Sequence, residues 1–110
     1  MAVHIHRVTV RGRFRDLDDT SREALVASAH EHEAIGAAFT PTGTLTYDRA
    51  VDFFSFRFEV RTDDEVVGRR PSDVHAIGEQ RAVDQLRRAA LAHGPLKVQS
   101  TDMADVWSDG

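Results

Sequence analysis

Two stretches of this chain alternate in polarity residue by residue, and a period of two marks strands that are half-buried in a sheet. From Val3 to Phe14, His4, His6, Val8, Val10 and Phe14 fall on one side, and Arg7, Thr9, Arg11 and Arg13 on the other. From Phe53 to Arg61, Phe54, Phe56, Phe58 and Val60 face one way, and Phe53, Ser55, Arg57, Glu59 and Arg61 the other. Any fold for the chain must therefore bury three valines and four phenylalanines of these strands on one side and leave a row of arginines on the other.

The remaining segments supply helices and turns. Thr20 predicts a helix N-cap, with Glu23 placed to reach back to the cap amide, and the helix runs to about Ala34 with Leu25, Val26, Ala29 and Ile35 near helical spacing and Gly36 as its stop. Ala37 to Tyr47 is Thr-rich and extended, with a bulge or turn at Pro41 and Gly43, and Asp48 to Asp52 joins it to the Phe53 strand as a hairpin. Thr62 to Arg70 reads as a charged surface loop. Pro71 opens a second helix that buries Val74, Ile77, Val83, Leu86 and Ala90, reaches about His93 and ends at Gly94-Pro95. A last strand covers Leu96 to Ser100 and extends toward Trp107, with Leu96 and Val98 buried. The order β-α-β-β-α-β predicts a single α+β domain over residues 1–110. Its expected form is a ferredoxin-like plait: a four-stranded antiparallel sheet with both helices on one face and the other face open.

Composition removes several classes of function. The 110 residues contain no cysteine, so disulfide frameworks, thiolate nucleophiles, Cys-based zinc sites and iron–sulfur clusters are excluded. No apolar run is long enough to span a bilayer, and the N-terminus lacks the pattern of a secretory signal, so the expected location is the cytoplasm, with no membrane partner. A net charge of −4 argues against a general nucleic-acid partner. The positive charge is unevenly divided, since of 14 basic residues only Lys97 is a lysine.

Arg7-Val-Thr-Val-Arg-Gly-Arg-Phe14, Phe39-Thr-Pro-Thr-Gly-Thr-Leu-Thr-Tyr-Asp-Arg49 with Phe53-Phe-Ser-Phe-Arg57, and Thr101-Asp-Met-Ala-Asp-Val-Trp107 together resemble a family of short actinobacterial proteins of unknown function. The resemblance spans nearly the whole chain. It implies a single domain in a bacterial cytoplasm and brings no catalytic residue, cofactor or substrate.

The strand phases put Arg7, Arg11, Arg13, Arg57 and Arg61 on one face. Guanidinium forks bind carboxylate, phosphate or enolate bidentately, so these five are the expected ligand-binding residues, joined by Phe53, the aromatic on their side of the strand. The plainer alternative is a solvated or dimer-forming face with the arginines paired to Glu59, Asp48 or Asp52. His6, Tyr47 and Asp48 are the candidates for moving a proton, because His titrates near neutrality and an acid beside a Tyr or His is usual in cofactor-free proton transfer. A core histidine and an ordinary turn aspartate are the structural alternatives. His4 with His6, and His30 with His32, lack the spacing of a metal site, so no metal is expected, and no nucleotide-binding or nucleophile-elbow motif is present.

These readings lead to a cofactor-free protein that binds a small, anionic organic molecule and dimerises through its open sheet face. If it is an enzyme, the expected chemistry is an acid–base isomerisation, cyclisation or dehydration. The alternative is a non-catalytic binding or assembly module with a protein partner on the same face.

Overall fold

The computed structural model describes residues 3–33, 37–63 and 71–103. Among them run four strands, β1 (Val3–Arg13), β2 (Thr44–Tyr47), β3 (Phe53–Asp63) and β4 (Lys97–Asp102), and two α-helices, α1 (Asp19–Ala27) and α2 (Pro71–Arg88). The strands form one antiparallel sheet in the order β2-β3-β1-β4. The long central pair, β1 and β3, consists of the two alternating segments, and the register sets Val8 opposite Phe58 and Val10 opposite Phe56.

That register gathers the apolar side chains on one face. Val8, Val10, Phe54, Phe56, Phe58 and Val60 are all buried there, and α2 covers them with Val74, Ala82 and Leu86. Its approach is close because Gly78 lies between Val74 and Ala82, where a Cβ would stand 2.6 Å from Val8 Cγ1. A methyl group at Gly78 would push the helix off the sheet. The buried stripe of α2 therefore runs at strict i, i+4 spacing through Val74, Gly78, Ala82 and Leu86. Val83 is only half-buried and Ala90 is exposed, contrary to the expectation that both face the core.

Three element boundaries differ from the expected ones, each for a local reason. Asp18, not Thr20, caps α1: its carboxylate accepts from the Ser21 amide at 2.6 Å, and that bond, with the Ser21 hydroxyl, holds the Asp18 carboxyl below its usual value. The helix then ends at Ala27 and tightens into a 3-10 turn, Ala29–His32, because Ala29 is its only buried residue and the polar run around it offers no continuous apolar stripe. Ile35 and Gly36 lie outside the described residues. At the other end of the domain, α2 stops at Arg88, well before Gly94-Pro95. Leu91 N donates to Leu86 O and Ala90 N to Arg87 O, which closes the helix with Ala90 at φ 56, a left-handed position usually taken by glycine. Residues 104–110, including Trp107, are outside the described residues, as is most of the expected loop between β3 and α2.

No helix among the described residues is long and apolar enough to cross a membrane.

Candidate functional site

The second face of the sheet carries the polar halves of the alternating strands. Arg7, Arg11, Arg13, Arg57 and Arg61 share it, and the register shows what stands beside each. Arg7 lies opposite Glu59, Arg11 opposite Ser55 and Arg13 opposite Phe53.

At one end of this face the cations are engaged within the fold. After β2's partner stretch, the edge of β3 is continued by Thr40, whose amide donates to Arg57 O and whose carbonyl accepts from Glu59 N at 2.8 Å. This brings the neighbouring Phe39 ring between two guanidinium groups, 5.2 Å from Arg7 and 5.6 Å from Arg57. Arg57, half-buried, also donates to Ala37 O at 2.6 Å. Arg61 pairs with Glu59 at 3.1 Å. Stacking, a backbone bond and an ion pair thus account for three of the five arginines.

At the other end a single row crosses all four strands: Thr46 opposite Ser55, Ser55 opposite Arg11, and Arg11 opposite Lys97. With strands about 4.8 Å apart the row is about 14 Å long. It forms the floor of an open cleft of about 900 Å³, walled by Arg13, Arg15, Phe53 and Pro95 and rimmed by Asp48, Arg49 and Glu33. Arg13 lies over the Phe53 ring at 4.9 Å, and Arg49 pairs with Glu33 at 3.2 Å. Arg11 and Lys97 are different. They stand directly opposite each other across β1 and β4, and among the described residues neither has a carboxylate within ion-pair distance. Directly opposed like charges destabilise a strand pair by about 0.2–1 kcal/mol.

The backbone around the cleft is specialised. A Cβ at Gly12 would lie 2.7 Å from the Phe54 ring and 2.9 Å from Leu96, so only glycine lets Phe54 pack beneath the row. Asp16, Val51 and Ala90, at φ 52, 57 and 56, are the non-glycine residues with left-handed backbone among the described residues. All three sit in connections at this end of the sheet. A left-handed β-branched residue such as Val51 costs on the order of 1–3 kcal/mol, and such strain clusters at functional sites.

The cleft brings together five of the expected site residues: Arg11, Arg13, Tyr47, Asp48 and Phe53. Arg7, Arg57, Arg61 and His6 are not among its lining. His6 is buried on the helix-covered face, opposite Val60 and Asp102, about 17 Å along β1 from the cleft floor at Arg11. Tyr47 also points to the helix side. Its hydroxyl donates to Leu25 O at 2.5 Å, and its ring stacks on His32 at 5.0 Å. Burial, with Glu31 adding to it, pushes the Tyr47 phenol above its ordinary value of 10.0. Asp48 accepts from the Asp52 and Phe53 amides at 2.8 and 3.0 Å, closing the hairpin connection that presents Phe53. The three expected proton carriers thus do not converge: one sits at the far end of the core, one is bound to helix α1, and one holds a turn.

Lys97 and Arg15 belong to the cleft but were not among the expected residues. Lys97 was visible as the lone lysine, but only the β1–β4 register places it beside Arg11. Arg15 lies past the end of β1, and its guanidinium occupies space left by Gly94, where a Cβ would be 2.8 Å from Arg15 Nε.

Fold and site define an α+β protein with one face of its sheet covered by helix and a basic cleft on the other. The chain belongs to the Family of unknown function (DUF6204), whose model matches residues 1–109. No curated protein and no solved structure matches it.

Proposed function

We propose that this protein binds a small organic anion in the cleft at the end of its open sheet face, with Arg11 and Lys97 as the anion-holding pair. The observation that carries this reading is the direct opposition of those two cations with no carboxylate in ion-pair distance among the described residues, on a chain whose net charge is −4. Such a pair is unfavourable in the free protein and becomes favourable when an anion bridges it. The left-handed connections around the cleft and its flat Phe53 wall support the same location. Binding is favoured over catalysis, because Tyr47 and Asp48 are committed to hydrogen bonds of the fold and His6 lies far from the cleft. The β-α-β-β-α-β order and the neighbours β2-β3-β1-β4 support reading the fold as a ferredoxin-like plait, whose open face is free for a ligand.

A second reading, homodimerisation or partner docking through the same face, rests on Phe53, which is 55% exposed. One comparison separates the two. Arg11→Gln and Lys97→Gln are expected to lower the affinity for small anions in calorimetric titration at least tenfold each, the effect of losing one charge-assisted contact, and to leave the sedimentation coefficient unchanged. Phe53→Ser is expected to change the sedimentation coefficient only if the face pairs with a second copy. Unaltered anion affinity in both charge variants contradicts the anion-site reading.

A further inference from the structure

The cleft contains more information than the sign of its ligand, and resting on the anion-site reading, we infer that it selects a phosphate monoester with a flat apolar body over a carboxylate or a phosphodiester.

Of the acids at the cleft, Glu33 pairs with Arg49 at 3.2 Å, and Asp48 is tied to its turn by Oδ1, which accepts from two amides. Arg13 is placed over an aromatic ring. That leaves Arg11 and Lys97 side by side, with Arg15 at the wall and no acid paired to them among the described residues. A monoanion bridging two adjacent cations leaves one positive charge uncompensated, whereas a monoester near pH 7 carries about −1.5 to −2. Its three terminal oxygens also suit the two donor types present, a planar fork from Arg11 and a point charge from Lys97.

The row continues from Arg11 to Ser55, which is half-buried and sets a hydroxyl-bearing residue on the same face one strand over, the strands being about 4.8 Å apart, as a further donor toward an anion on the row. Beside the row stand the exposed Phe53 ring and Pro95, two flat apolar surfaces that suit an aromatic or similarly planar body. The volume, about 900 Å³, exceeds what a bare inorganic ion needs.

The test is calorimetry on the full chain with three probes of one body type: phenyl phosphate, its methyl diester and benzoate. At pH 7.5 phenyl phosphate is expected to bind at least tenfold more tightly than either monoanion. At pH 5.0, where a monoester with a second pKa near ~6 takes up a proton, that advantage is expected to shrink several-fold. Arg11→Gln and Lys97→Gln are expected to erase the preference, while Arg7→Gln, at the other end of the face, keeps it. Equal affinity for all three probes overturns the monoester inference but leaves the anion site standing. Binding of none of them overturns the site itself.

Discussion

The two ends of the open sheet face are built from the same residue type in the same strand phase, yet they are organised differently. At the Arg7–Arg57–Arg61 end, each guanidinium has a partner inside the fold: the Phe39 ring, the Ala37 carbonyl or the Glu59 carboxylate. At the Arg11–Lys97 end, two cations face each other without an acid among the described residues. Arginine on a strand is therefore not a site in itself. The same side chain is structural where the chain folds back to meet it and available to a ligand where it does not.

Truncation is expected to act with opposite sign at the two ends. Arg57→Ala is expected to cost about 1–2 kcal/mol in urea unfolding, since it removes a charge-assisted bond to Ala37 O and one of the two guanidinium groups at the Phe39 ring. Arg11→Ala is expected to stabilise by a few tenths of a kcal/mol through relief of its repulsion with Lys97. A comparable loss at both positions would break the comparison. Next in size, Tyr47→Phe is expected to cost about 1 kcal/mol by removing the phenol's bond to the Leu25 carbonyl, which keeps the Ser28 amide, with anion affinity retained within about twofold. The pH dependence has a definite sign. Because the Tyr47 phenol is raised in the folded state, its contribution is present below pH 10.0 and is lost as pH rises through the folded value. Alkaline unfolding should therefore be shallower in Tyr47→Phe. A second gain is expected at the end of α2: Ala90→Gly relieves a left-handed alanine and is expected to add about 0.5–1 kcal/mol, measured by thermal unfolding.

The faces of the central strands were legible in the sequence because their period of two leaves a single way to bury Val8, Val10 and the phenylalanines, and that phase alone put five arginines on the opposite side. Their partners were not legible. Phe39 reaches Arg7 and Arg57 only because Thr40 docks on the edge of β3, a contact between segments that no local pattern announces. Lys97 was missed for a related reason: a short edge strand has no register until it pairs, and a shift by one residue would have moved that side chain to the other face. The ends of the helices were obscured by competing signals. Asp18 and Thr20 are both good caps, and Gly94-Pro95 is so strong a stop that it masks the earlier closure at Ala90. Tyr47 and Asp48 line the cleft, but both are bonded to backbone groups: the Tyr47 hydroxyl to Leu25 O, in a segment that no local pattern relates to it, and Asp48 Oδ1 to two amides of its own turn.

The central claim is tested most directly by an amide chemical-shift titration of the ¹⁵N-labelled protein with phenyl phosphate. Shifts concentrated at residues 11–15, 53–55 and 94–97, absent from residues 7 and 59–61 and suppressed in Lys97→Gln, are the result expected for a ligand seated between Arg11 and Lys97. Equal shifts at both ends of the sheet, or no shifts in the cleft at saturating concentration, would contradict it.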